Sequence, residues 1–236
     1  LPAIRLVDHS SVPRRTEGRR VTANFTPALG HTALSGLYDP AIALLTREPL
    51  WRSRLLEQVA PSPGETIIDL GCGTGSFAIA MANRAPDARI FGLDPDGDIL
   101  RRAETKTAAA GQAVRFIQGF SRDVAALLGE DAADKVVSSL VFHQLPMAEK
   151  RAGLAASLRA LKPGGTLHVA DYGRQSGAMR VLFRLVQSLD GYENTQPNAD
   201  GVLPTLMAEA GFTQVQVLDV IPTATGSISL YRAVRR

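Results

Sequence analysis

The sequence predicts an α/β fold, a doubly wound and mostly parallel sheet with an antiparallel strand near its end. Three observations carry this. From Glu65 onward, short β-rich runs alternate with helical runs, the pattern of βαβ units. The stretch TIIDLGCGTGSFAIA, residues 66–80, sets three alternating glycines between a strand and a helix. Two strand-like runs, 212–220 and 226–234, are separated only by Ile221 to Thr225. A parallel crossover needs about a dozen residues, so that pair reads as an antiparallel hairpin.

The elements follow in order. Residues 35–47 and 50–59 read as two helices split by Pro49, forming a cap over the sheet within residues 35–60. TIIDL (66–70) is the first strand, and SFAIAMANRA (76–85) a helix closed by Pro86. ARIFGLD (88–94) and AVRFIQG (113–119) are strands, with the helix 98–111 between them ending in glycine. A short helix covers 122–129 and a strand 134–142. Residues 148–165 read as a helix stopped by Lys-Pro-Gly-Gly, followed by the strand TLHVADY (166–172). Residues 1–34 read as a separate arm or lid, and 35–236 as a single domain.

Composition bounds the function. The chain has 236 residues, 45% of them hydrophobic, which suits one globular core. No apolar run reaches the ~18 residues of a membrane span, and the first twenty residues lack the apolar core and cleavage site of a secretory signal. A cytoplasmic location is the default expectation. The first residue is Leu rather than Met, so upstream residues are expected to be missing. One cysteine excludes an internal disulfide and a multi-cysteine metal site. The net charge of +3 gathers at the ends, in Arg5, Arg14, Arg15, Arg19 and Arg20 and in Arg232, Arg235 and Arg236. No aromatic residues interleave with these arginines, which argues against a nucleic-acid partner.

The glycine loop lies where doubly wound sheets bind ligands, beyond the carboxyl ends of the strands. The dinucleotide fingerprint requires a third glycine, and Ser76 stands in its place. Asp94 ends the second strand, where a carboxylate accepts both hydroxyls of a ribose. Asp69, immediately before the loop, opposes a diphosphate and suits a cationic group. A nucleoside with a ribose, no phosphates and an amino-acid tail meets all three conditions, and S-adenosylmethionine (SAM) is such a molecule. Loop amides and the following helix N-terminus would take its carboxylate.

DLGCGTG, GLDPD, SSLVFHQLP and LKPGGTLHVADYG, in that order and spacing, resemble the class I SAM-dependent methyltransferases, in particular the group containing quinone and lipid methyltransferases. The resemblance spans residues 35–236. It implies a Rossmann-like sheet of seven strands with an antiparallel last strand, and S-adenosylhomocysteine as product. It places Asp69, Gly71, Cys72, Gly73, Asp94, Pro95, Gly119, Phe120, Ser121 and Leu140 around the cofactor, with Tyr38 as a cap aromatic beside it. One departure concerns the acidic residue that relatives carry after the third strand to meet the adenine amino group. Here Gly119 is followed by Phe120, Ser121, Arg122 and Asp123. Phe120 either stacks on the adenine or belongs to the core, with Ser121 or Asp123 as the polar contact.

Methyl transfer to a hydroxyl or an acidic carbon benefits from a general base. His143, just past the fourth strand, is the catalytic candidate; hydrogen bonding to the acceptor, or pinning the loop Gln144-Leu145-Pro146, is the alternative. His168 reads as structural, His31 as a cap residue and His9 as part of the arm. Tyr172, Met179 and Phe183 are candidate acceptor contacts, the last two on an apolar helical face in the insertion 176–199. That face also reads as helix packing or a homodimer contact.

The segment after the fourth strand lacks the Pro-Pro-Tyr/Phe element of adenine-directed enzymes, and Cys72 is in the loop rather than placed as a nucleophile. No carboxylate ends the fourth strand to hold a divalent ion, so metal-independent chemistry is expected. The expected activity is methyl transfer to an O, N or C atom of a small, partly apolar metabolite. RNA or protein methylation and non-catalytic SAM binding are the alternatives.

Overall fold

The computed structural model describes residues 45–236. The expected arm at 1–34, most of the helix expected at 35–47, and His9, His31 and Tyr38 lie outside the described residues.

The first described helix, α1 (Glu48–Val59), has Pro49 in its first turn, where the missing N–H costs no hydrogen bond. It buries Trp51, Leu55 and Val59. The chain then alternates as the sequence reading requires: β1 (Thr66–Leu70), α2 (Ser76–Arg84), β2 (Arg89–Asp94), α3 (Gly97–Ala109), β3 (Val114–Gln118), α4 (Val124–Leu128) and β4 (Ala133–Ser139). After α5 (Met147–Ala160) come β5 (Leu161–Tyr172), α6 (Gly177–Asp190), α7 (Tyr192–Ala199), α8 (Leu203–Ala210), β6 (Thr213–Thr223) and β7 (Gly226–Val234). Two single 3-10 turns, Ser121–Asp123 and Phe142–Gln144, follow β3 and β4.

Among the described residues the strands form one seven-stranded sheet in the order β3-β2-β1-β4-β5-β7-β6. The pairs β1–β2, β1–β4, β2–β3 and β4–β5 are parallel, while β7 runs antiparallel to both β5 and β6. The hairpin is therefore present, and its second strand is wedged between β5 and β6. The doubly wound arrangement carries an apolar core on each face. Ile67 packs with Trp51, Phe77, Phe183 and Ile228 on one side, and Ile68 with Phe142, Leu154, Leu203 and Phe212 on the other.

Several elements differ from the sequence reading, among them the strand expected over 134–142, which ends at Ser139 before the 3-10 turn Phe142–Gln144. The helix expected over 148–165 ends at Ala160, because Leu161 already pairs with Ala133 and a register shift carries the Lys-Pro-Gly-Gly stretch into β5. The short helix expected at 122–129 splits into a 3-10 turn and α4. α8 has no counterpart in the sequence reading; it is two turns long, with Pro204 in the first. His168 is buried inside β5, between Gln58 Nε2 at 3.0 Å from its Nδ1 and Thr166 Oγ1 at 2.9 Å from its Nε2. Burial holds it far below the usual histidine range, at about 3, so the ring is neutral.

Candidate active site

The carboxyl ends of β1, β2, β4 and β5 meet at one edge of the sheet, and the loop after β1 forms its floor. Gly71, Gly73 and Gly75 all have positive φ, at 66°, 53° and 73°. That left-handed backbone costs a side chain about 1–2 kcal/mol. Space adds a second demand at Gly71, where a Cβ would stand 2.3 Å from Val141 Cγ2. Gly73 is different, because a Cβ there would meet nothing within 4 Å. The loop is tied to β2 through Gly71 N–H and Cys72 N–H, both donating to Leu93 O at 2.7 and 3.1 Å. Cys72 is buried, and burial beside Asp69 and Asp94 raises its thiol strongly, which makes it a packing residue rather than a nucleophile.

Asp69 ends up beneath this loop with 1% of its surface exposed, and neither carboxylate oxygen has a hydrogen-bond partner. Burial lifts its pKa to about 7, opposed by the charge of Arg52 on α1 and reinforced by Asp94. A buried carboxylate with four free lone-pair sites is costly unless a donor arrives. Arg52 Nε, also buried, likewise has no partner. The guanidinium lies over the Trp51 ring, 5.3 Å from its centroid, and its Nη2 pairs with Glu48 at 3.0 Å. An orphaned acceptor, an orphaned donor and open space over Gly73 together fit a zwitterionic amino-acid group: an ammonium for Asp69 and a carboxylate for Arg52 or the loop amides.

Asp94 closes the second side. Its Oδ2 accepts from Gly73 N–H and its Oδ1 from Asp96 N–H, each at 3.0 Å. Burial raises its pKa, and the two amides oppose that rise. Each oxygen keeps a lone pair, enough for two ribose hydroxyls. Pro95 is half-buried beside it, its carbonyl taking Gln118 Nε2 at 2.9 Å. Gly119 N–H donates to Asp94 O at 3.1 Å, and a Cβ on Gly119 would stand 2.5 Å from Leu127 Cδ1. Phe120 is half-buried, with the Arg122 guanidinium 4.2 Å from its ring centroid. Ser121 starts the following 3-10 turn and Asp123 Oδ2 accepts from Phe120 N–H at 3.3 Å. Leu140, directly after β4, has φ 56°, an uncommon backbone for a branched side chain that marks this edge as locally strained.

The acceptor side is built on His143. The ring is 3% exposed; its Nδ1 lies 2.8 Å from Asp171 Oδ1 and its Nε2 3.3 Å from Asp190 Oδ2. Carboxylates only accept, so both ring nitrogens donate and the ring is an imidazolium. Burial lowers its pKa, but Asp171 and Asp190 outweigh burial and bring it to about 9. At neutral pH such a ring has no nitrogen free to take a proton. The geometry is that of a cationic pin between β5, the loop after β4 and α6. Lys150 completes it: its ammonium is buried and donates to Phe142 O, to His143 O at 3.4 Å and to Asn194 O at 3.0 Å. Burial lowers its pKa to about 8.

Tyr172 stacks edge-on against His143 at 5.0 Å between centroids, and its hydroxyl shares a 2.7 Å hydrogen bond with Thr225 Oγ1. Burial pushes that hydroxyl up to about 12. Phe183 is fully buried 4.9 Å from the Tyr172 ring, while Met179, one turn earlier on α6, is half-buried. The structure thus gathers Asp69, Gly71, Gly73, Asp94, Leu140, His143 and Tyr172 at one edge. Arg52 and Asp190 are additions. Arg52 sits 17 positions before Asp69 on a helix that reads as a cap, and Asp190 closes an amphipathic helix where a polar residue draws no notice. Among the described residues no group of three or more His, Cys, Asp or Glu side chains is arranged to hold a metal ion.

Comparison with known proteins agrees with this geometry. Residues 67–165 match the family model described as a methyltransferase domain. An uncharacterised methyltransferase of Synechocystis is 30% identical over 166 residues, 68% of this chain and 73% of that protein. The demethylmenaquinone methyltransferase of Deinococcus radiodurans is 30% identical over 193 residues, 78% of this chain and 76% of that protein. Among solved structures, a SAM-dependent methyltransferase from Aquifex aeolicus superposes with a TM-score of 0.59 at 16% identity, covering 84% of this chain and 94% of its own. A Haemonchus contortus phosphoethanolamine N-methyltransferase bound to S-adenosylhomocysteine gives 0.65 at 15% identity, covering 79% of this chain and 53% of its own. These two likenesses speak for the fold.

Proposed function

Because the chain belongs to the class I SAM-dependent methyltransferases, we propose that it methylates an O, N or C atom of a small, partly apolar metabolite of the quinol type, without a metal ion. The observation that carries the acceptor class is the Deinococcus relative, named for demethylmenaquinone methylation and aligned over 76% of its own length. The apolar character of Leu140 and the Tyr172 ring at the acceptor edge agrees with it.

When bound, SAM supplies a methyl group on a sulfonium and leaves as S-adenosylhomocysteine. Asp69 meets the ammonium, Arg52 and the loop amides the carboxylate, and Asp94 the ribose. Their task is alignment, since the donor is already activated. The carboxylates of the acceptor edge, Asp171 and Asp190, are both committed to His143, which supports the metal-independent reading. His143 acts as a positioning residue: its charge fixes the loop after β4 against α6, and with it the wall on which an acceptor would lie.

The test is turnover. The chain is incubated with SAM, with EDTA, and with short-chain demethylated quinols, and S-adenosylhomocysteine is measured. Product formed with the quinols and unaffected by EDTA is expected. Binding of SAM without turnover on any quinol would overturn the acceptor assignment, and loss of turnover in EDTA the metal-independent one.

A further inference from the structure

The outer face of α6 is apolar and open to solvent. Val181, Leu185 and Leu189 are 61%, 52% and 59% exposed, and Leu182 38%. At 3.6 residues per turn these four side chains fall within an arc of about 100°. Phe183, Val186 and Gln187 fill the inward arc instead. Beyond Gly191 the stripe continues with Tyr192, 63% exposed. Single exposed apolar side chains are ordinary; four on one helix, with a fifth at the start of the next, mark a surface with a use.

Charge borders this stripe. Arg180 and Arg184, one turn apart, line a surface cleft together with Tyr192, and Arg184 stands about 60° from Val181 around the helix. Arg180 holds Asp200 at 3.0 Å, whereas Arg184 forms no hydrogen bond or ion pair among the described residues. The acidic residues nearby are accounted for. Asp190 turns inward to His143, Asp200 is exposed but paired with Arg180, and Glu193 is exposed at the start of α7.

An apolar arc edged by guanidinium groups is the design of a helix lying in the plane of a lipid interface. The carbon side chains enter the acyl boundary, and the arginines stay level with the phosphates. A guanidinium fork also suits a phosphate oxygen pair. The cationic cleft beside the stripe, with Arg184 unpaired among the described residues, favours an anionic surface as the occupant. We propose that the outer face of α6 docks the protein on a bilayer containing anionic phospholipid. The inference stands on this surface alone and does not depend on the acceptor named above.

The test is flotation of the full chain with vesicles of phosphatidylcholine alone, and with about a third phosphatidylglycerol added. Wild type is expected to partition at least tenfold better onto the anionic vesicles, and to lose that advantage in high salt. Leu185→Gln with Leu189→Gln should lower binding to the anionic vesicles by about tenfold or more. Arg184→Gln should lower it about fivefold. All three positions are exposed, so melting temperatures should match wild type. Absence of wild-type binding to anionic vesicles, or wild-type binding by the double-leucine variant, would overturn the proposal. So would a wild-type dimer that the double-leucine variant splits, which would assign the face to a second copy.

Discussion

Asp190, the last residue of α6, lies 3.3 Å from Nε2 of His143 on the loop after β4. The C-terminal end of a helix carries partial negative charge, a poor place for an aspartate. The imidazolium offsets it, and Asp171 at 2.8 Å on the opposite nitrogen holds the imidazolium in place. The acceptor-side insertion is thus fastened to the sheet edge by a carboxylate–imidazolium–carboxylate chain. Asn198 adds a further tie, its Nδ2 donating to Tyr172 O at 3.0 Å.

Replacing His143 by Gln leaves Asp171 buried without its cation, a change expected to cost about 3–5 kcal/mol. Asp190→Asn keeps a hydrogen-bond acceptor and should cost about 1 kcal/mol. Urea unfolding at pH 7 measures both. Equal, small losses would show that the chain contributes little to stability.

The same chain predicts a pH dependence. The folded pKa of His143, about 9, lies above the ordinary 6.5 of the unfolded chain. Its stabilisation is therefore complete below about pH 6.5 and is lost as pH rises through 9. Wild type should be measurably less stable at pH 9.5 than at pH 6.5, and His143→Gln should show a flatter profile. Parallel profiles would remove the imidazolium from the account.

Asp69 has the opposite consequence for ligand binding. Its pKa of about 7, against an ordinary 3.8, means that folding favours the protonated form, so its ionisation weakens the fold as pH rises from about 4 to 7. A cationic ligand needs the ionised form. SAM affinity should rise from pH 6 to pH 8, with proton release seen by calorimetry in buffers of different ionisation enthalpy. Asp69→Asn should bind weakly and lose that pH dependence, and a persisting dependence would point to another group.

Asp94→Ala should weaken SAM at least tenfold through loss of the ribose contacts, about 1.4 kcal/mol or more. Titration calorimetry at constant pH reads this directly, and unchanged affinity would sink the assignment.

The loop glycines separate two roles. Gly71→Ala meets Val141 and should destabilise the fold by more than the ~1–2 kcal/mol of its left-handed backbone. Gly73→Ala has room and should cost only that backbone term, yet it places a methyl group where a ligand would lie. Thermal melts should therefore single out Gly71→Ala, and SAM titrations should show Gly73→Ala weakened at nearly native stability.

The sheet, its hairpin and the glycine loop were legible because each rests on local chemistry: alternating periods, a short connection, and glycines where φ is positive. Asp69 and Asp94 were legible because strand ends fix where their side chains emerge. Asp190 was not, since its partner His143 is 47 positions away and only the packing of α6 brings them together. Arg52 was missed for a related reason. A helix preceding the sheet shows its buried Trp51 and Leu55 in sequence, but not that the residue between them faces an aspartate on β1. The wedge position of β7 was equally silent, because a hairpin's sequence does not say which of its strands joins the sheet.

That wedge has a consequence for the newborn chain. β5 ends at Tyr172, yet the strand that covers its far edge begins only at Gly226. At ribosomal speeds of ~5–20 residues per second, roughly 3 to 10 s pass before that partner exists. Through this interval β5 offers an unpaired row of amides and carbonyls, the template on which nascent chains stick to one another. The sheet is sealed from within, late, by a single strand that bonds on both sides, and the cell has to shelter the half-made edge until it arrives.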